Sequence, residues 1–134
     1  MQIEIDYHVG AKPDTREVIA LFEASGIRRP TGEPERIANM FAAPCPVVAA
    51  RAHGRLVGVS RALTDYVYCC YLSDIAVERA YQGRGIGREL VRLTREAVGE
   101  AVSVVLVSAP GAVGFYPKTG FEVCDSAFIA RRTR

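Results

Sequence analysis

The sequence predicts a mixed α/β fold, one sheet of six to seven strands with helices on both faces. Three observations carry that prediction. Short runs such as Ile3 to Val9 alternate apolar and polar residues, as a half-buried strand requires. Elsewhere apolar residues recur at helical spacing, most clearly Ile86, Leu90, Leu93 and Ala97. In chain order the segments read β-α-α-β-β-β-α-β-α-β-β, with strands and helices alternating only in the second half, which points to a mixed rather than a purely parallel sheet.

Ile3 to Val9 is the first strand. Asp14-Thr15-Arg16-Glu17 then opens a helix whose apolar positions Val18, Ile19, Leu21 and Phe22 run toward Gly26, a glycine placed to cap it. Ile27 to Thr31, with Arg28-Arg29-Pro30, is a loop. A second, short helix from Glu33 to Ala42 carries Ile37, Met40 and Phe41 and stops before Pro44. Val47 to Ala52 and Leu56 to Leu63 flank His53-Gly54-Arg55 as a hairpin. Val67 to Glu78 is a long strand, Gly85 to Val98 the main helix, and Val102 to Val107 a buried strand. Ala112 to Lys118 is a short helix, and Phe121 to Cys124 and Ala127 to Arg131 close the sheet. With 134 residues and no linker or repeat, the chain is expected to form one domain, 1–134, around one core.

Charge and composition exclude several functions. A net charge of +2 is too small to argue for nucleic acid or a membrane as partner, and Arg131-Arg132-Thr133-Arg134 reads as a solvated end. Met1 to Asp6 lacks the pattern of a signal peptide, and no run approaches the ~20 apolar residues that span a bilayer. Cys45, Cys69, Cys70 and Cys124 show no Cys-x-x-Cys pairing, so reduced thiols in a cytoplasmic protein are the default. His8 and His53 lie far apart without a ligand cluster, so no metal is expected.

The stretch that carries chemistry is Gln82-Gly83-Arg84-Gly85-Ile86-Gly87, placed where a strand turns into the main helix. Unpaired N–H groups and the positive end of the macrodipole make such a turn an anion site. Glycine there reaches unusual backbone conformations and keeps side chains away from a phosphate. Arg84 and Arg88 can add charge-assisted contacts. Alone, the pattern is equally a tight turn. A P-loop is excluded because Gly87 is followed by Arg88-Glu89, and a dinucleotide fingerprint fails because Leu90 stands where a small residue is needed.

The stretch resembles, in full, the acetyl-CoA signature Gln/Arg-x-x-Gly-x-Gly/Ala of the GCN5-related N-acetyltransferases. A second block of that family, Phe-Tyr-x-Lys-x-Gly-Phe, is matched by Phe115-Tyr116-Pro117-Lys118-Thr119-Gly120-Phe121, in the family's order and at its usual separation. With the strand Tyr71 to Val77 these blocks cover about half the chain. The resemblance implies a largely antiparallel sheet that splays into a V between the fourth and fifth strands, with the pantetheine arm of acetyl-CoA in the gap. It implies that the backbone of Ile75, Ala76 and Val77 pairs with the arm, and that Gln82, Gly83, Arg84, Gly85, Ile86, Gly87 and Arg88 hold the pyrophosphate. One departure is Arg79, where the family often has proline.

By the same resemblance the activity is acetyl transfer to a primary amine of a small molecule or peptide; a catalytically weak CoA-binding sensor is the alternative. No cysteine sits in either block, which favours direct transfer over an acetyl-enzyme, for which Cys69 and Cys70 would be the only candidates. Tyr116 matches the position that protonates the departing sulfur, and the whole block favours that role over a core or rim tyrosine fixed by Phe115 and Phe121. The oxyanion donor would be the N–H of Ala76 or Val77. Asp74, on the strand before the glycine turn, is either the general base and amine ligand or a structural acceptor in the sheet. Tyr71 is a further candidate lining residue. Arg28 and Arg29, if they face the site, favour an acceptor carrying a carboxylate or phosphate; otherwise they are a surface pair. A homodimer is the family's habit.

Overall fold

The strand Val47–Ala52 decides the layering. Neighbouring residues of a strand point to opposite faces, and Val47, Val48, Ala49 and Ala50 are all buried, so each face must be covered. In a computed structural model, which describes residues 3–134, this strand is β2 of a five-stranded sheet. The others are β1 (Asp6–Val9), β3 (Arg55–Thr64), β4 (Cys69–Val77) and β5 (Ser103–Val105), laid out in sequence order. Pairing is antiparallel from β1 to β4 and parallel between β4 and β5. Helices α1 (Thr15–Ser25) and α2 (Pro34–Ala42) bury Val18, Leu21, Phe22, Ile37 and Phe41 against Val47, Ala49, Leu56, Val59 and Ala76. Helix α3 (Ile86–Val98) buries Ile86 and Leu90 against Val48, Ala50 and Val57 on the other face.

How closely α3 approaches the sheet depends on Gly58. A Cβ there would stand 3.1 Å from Ile86 Cγ2 and 3.3 Å from both Leu90 Cδ1 and Ala50 Cβ. The first turn of α3 is therefore seated on bare backbone, which fixes the height of the glycine turn above the sheet. Gly58→Ala is expected to overpack this contact and lower stability by about 1–3 kcal/mol, read from the urea midpoint. An unchanged midpoint would show that the helix can lift without penalty.

Two irregularities in β4 shape what lies beside it. The register with β3 slips between Arg61 and Ala62, opposite Ser73, so β4 carries one extra residue there. Cys70 and Leu72 face α3, whereas Ala76, beyond the bulge, packs under α1 and α2. On its other edge β4 meets β5 only through Cys69, Cys70 and Tyr71. From Leu72 to Val77 that edge has no strand partner among the described residues, which opens the expected gap between the fourth and fifth strands.

The sheet is smaller than expected. The predicted strands Phe121 to Cys124 and Ala127 to Arg131 carry no ladder, and Phe128 is 96% exposed. The cause lies in β5: the chain leaves β4 after Val105, so only three residues offer an outer edge on which further strands could pair. The predicted helix Ala112 to Lys118 is instead two 3₁₀ turns, Pro110–Ala112 and Tyr116–Thr119. Gly114 and Pro117 interrupt any longer helix. None of the described helices is long and apolar enough to cross a membrane.

Candidate active site

Beyond Val77 the chain turns through Arg79–Tyr81 into α3. Gly83 and Gly85 lie at φ +80° and +84°, the left-handed region that other residues avoid, and a Cβ on either would meet open space. No side chain caps α3, and the first backbone bond into the turn runs from the Glu89 N–H to the Gly85 carbonyl, 3.1 Å. The amides of Ile86, Gly87 and Arg88 are thereby left without a protein acceptor among the described residues.

The six residues of the signature divide by task. Ile86 offers only its backbone, since its side chain is buried against the sheet. Gly87 makes room: a Cβ there would press on Phe115 Cζ at 3.3 Å, so this glycine lets the Phe115-Tyr116 turn lie against α3. Gln82 donates its side-chain amide to the Val77 carbonyl, 2.8 Å, closing the strand end onto the turn. Arg84 stacks over Tyr81 at 5.5 Å, and Arg88 reaches the Lys118 carbonyl at 3.5 Å. Both arginines are exposed beside the turn.

A cleft of about 450 Å³ occupies the gap beside β4. Its walls are Leu72, Ser73 and Ile75 of β4, the segment Leu106 to Ala109 beyond β5, the loop Gly26 to Arg29, and Tyr116. The Tyr116 ring is held edge-on by Phe115 (5.0 Å between centroids) and Phe121 (5.8 Å). Burial pushes its phenol above the ordinary value of 10.0, so the hydroxyl keeps its proton at neutral pH.

Asp74 does not open into this cleft as a free carboxylate. Its side chain has 0% exposure. Oδ1 accepts from Arg29 Nε at 2.6 Å, and Oδ2 accepts from Arg61 Nε. Arg29 also donates to the Ser73 carbonyl (2.8 Å) and the Arg28 carbonyl (2.7 Å), while Arg61 donates to Ser73 Oγ (3.1 Å) and lies over the Phe41 ring. The α1–α2 loop, β3 and the bulge of β4 are thus tied by one charge cluster. Arg28 is exposed at the cleft wall, and Tyr71 is exposed on β4 away from the cleft. Among the described residues no group of His, Cys, Asp and Glu is placed to hold a metal ion.

The family model described as "Acetyltransferase (GNAT) family" matches residues 15–121. The chain belongs to the GNAT acetyltransferase family. This GNAT domain is 39% identical over 81 residues to Serotonin N-acetyltransferase 2, chloroplastic, of Oryza sativa subsp. japonica, a match covering 59% of this chain and 40% of that protein. Its match to Histone acetyltransferase TAP1 of Glycine max is 27% identical, over 89% of this chain and 56% of that protein. The chain spans about half the length of the curated relatives it matches, or less. A solved probable acetyltransferase of methicillin-resistant Staphylococcus aureus superposes with TM-score 0.81 at 22% identity, over 99% of both chains. That likeness carries the fold, not the activity.

The GNAT signature left one participant unread. Arg61 stands inside the apolar run Leu56 to Leu63, and a lone arginine in a buried strand demands a buried acid. That demand is the only signal in the sequence for its pairing with Asp74.

Proposed function

We propose that this GNAT domain transfers the acetyl group of acetyl-CoA directly to a primary amine of a small molecule or peptide. The observation that carries the reading is the uncapped glycine turn, set at the end of the unpaired edge of β4 with Tyr116 across the gap. Acetyl-CoA supplies an activated thioester, and the open space at Gly83 and Gly85 fits its diphosphate. The amides from Gly83 to Arg88 grip that diphosphate, with Arg84 and Arg88 beside them. The free edge at Ile75, Ala76 and Val77 pairs with the amides of the arm, as a peptide adds to a sheet. The Ala76 or Val77 N–H bears the negative charge that develops on the thioester oxygen.

In the transfer an N–C bond forms from the neutral amine and the C–S bond breaks. Tyr116 gives its hydroxyl proton to the departing sulfur, and the proton shed by the nitrogen restores the phenol. Asp74 serves as a positioning group rather than the base, because both of its oxygens are engaged by arginines. Asp74→Asn is expected to lower stability by about 3 kcal/mol, since it strands two guanidinium groups, while the folded variant keeps the acidic limb of its pH–rate profile. Loss of that limb with unchanged stability would restore the base role.

Calorimetry with acetyl-CoA, followed by CoA release with amines, amino acids, amino sugars and peptides, tests the proposal. The names of the relatives add serotonin and histone peptides to that panel. Binding without release from any acceptor would favour the sensor reading. The four cysteines are free, which suits a reducing compartment, the cytoplasm or a plastid like that named for the rice relative.

A further inference from the structure

Resting on the transferase reading, a second cavity bears on how the donor is chosen. It is a groove of about 700 Å³ between α3 and the 3₁₀ turn Tyr116–Thr119, and it shares no lining residue with the cleft beside β4. Val91, Val102 and Val104 give it an apolar floor, while Arg88, Arg95 and Lys118 line it as exposed cations. Arg88 ties the groove to the diphosphate turn: it is the third residue of α3, and its amide is one of those left free there. Its guanidinium reaches the Lys118 carbonyl at 3.5 Å, so Lys118 stands against the first turn of the helix. Two turns further on, ~10 Å along the axis, Arg95 reaches the Thr119 carbonyl at 3.4 Å and lies over the Phe121 ring.

The charges of this groove do not balance. Of its acids, Glu96 is paired with Arg92, and Glu100 lies past the end of α3, roughly 15 Å of helix from Arg88. Arg88, Arg95 and Lys118 have no acid partner among the described residues, and the Lys118 ammonium makes no hydrogen bond to them. Two cations that line one groove with no acid between them, Arg88 and Lys118, repel each other and are stabilised by an anion. Arg84 is not part of the groove and lies over Tyr81 instead.

We propose that this groove takes the nucleoside end of acetyl-CoA, with Lys118 and Arg88 holding its 3′-phosphate, so that the domain selects CoA esters over thioesters lacking that phosphate. In acetyl-CoA a single ribose separates the 3′-phosphate from the diphosphate. With the diphosphate on the amides that open α3, the 3′-phosphate therefore falls within reach of side chains flanking the first helical turn. A phosphate accepts from an ammonium point charge and a guanidinium fork at once. The valine floor is left for the ribose and base, and Arg95, held by Thr119 and Phe121, forms the wall beyond.

Calorimetry with acetyl-CoA and with its 3′-dephospho form tests this without an acceptor, because the two donors differ by that phosphate alone. Acetyl-CoA is expected to bind about tenfold tighter, the size of one charge-assisted contact at an open site. In Lys118→Ala the ratio falls to about threefold or less, while affinity for the dephospho form stays within about twofold. Lys118→Arg keeps the charge and most of the ratio. Raising the salt from about 50 to 300 mM narrows the wild-type ratio. Lys118 is exposed and its ammonium holds nothing in the fold, so the variant is expected to fold. A ratio near one in wild-type protein that binds both donors, or an undiminished ratio in Lys118→Ala, overturns the proposal and leaves the transferase reading standing. An equal loss for both donors in Lys118→Ala also overturns it, since that marks a structural residue. Failure to bind either donor overturns the transferase reading beneath it.

Discussion

Gly85→Glu is expected to abolish measurable acetyl-CoA binding, with Kd raised at least about a thousandfold, or 4 kcal/mol, by calorimetry. Two effects act together. Gly85 lies at φ +84°, where any L side chain costs about 1–2 kcal/mol of strain. The larger effect is electrostatic: nothing stands within 4 Å of a Cβ there, so the carboxylate projects into the open space proposed for the diphosphate. It can also accept hydrogen bonds from the amides of Ile86 to Arg88, blocking the donors as well as repelling the ligand. Gly85→Ala separates the two, since it adds strain without charge, and is expected to weaken binding only about tenfold. The glutamate has open space around it and adds no clash, so the melting temperature should fall only by the several degrees that this backbone strain costs. Undiminished affinity in Gly85→Glu would remove the phosphate cradle and with it the functional reading.

A neighbouring glycine behaves differently, and the sequence could not separate the two. Gly85 and Gly87 stand two apart in one signature, yet Gly85 faces solvent while Gly87 faces Phe115. A motif records that glycine is needed, not whether a ligand or the protein's own ring fills the space. Most of the fold was legible because it is local: α1, α2, β2, β3 and α3 follow from periodicity and from local stops such as the Gly26 cap. The bulge at Ser73 left no local mark, and it undoes the plain alternation of β4. The Asp74 cluster was out of reach for a similar reason, since it joins residues 13 and 45 positions apart. Read singly, Asp74 is a base candidate and Arg29 a surface charge. Placed together, each satisfies the other. At the C-terminal end the error ran the other way: Phe121 to Cys124 and Ala127 to Arg131 have strand-like composition, but a strand also needs an edge to pair with, and β5 supplies only three residues.

The sharpest test of the chemistry is Tyr116→Phe. Turnover is expected to fall about a thousandfold, within the 10²–10⁴ range of a positioned acid, while the Kd for acetyl-CoA stays within about twofold. The substitution is clean because the ring, not the hydroxyl, holds the residue in place between Phe115 and Phe121, and the hydroxyl has no protein partner among the described residues. Stability should therefore be unchanged. The direction of the pH effect follows from burial, which raises the phenol pKa above 10.0. The donor proton is present throughout the range below that value, and turnover is lost as pH rises through it. The phenylalanine variant has no such proton to lose, so its residual rate should lack this alkaline limb. A proton passed from such a phenol to a thiolate of pKa about 8.5 moves uphill in the resting state. The hydroxyl can therefore act only as the C–S bond breaks and charge accumulates on sulfur, lowering kcat rather than ground-state affinity when it is removed. Equal rates for the two proteins, or an alkaline limb that survives in Tyr116→Phe, would leave Tyr116 as a packing residue and the departing thiolate unassisted.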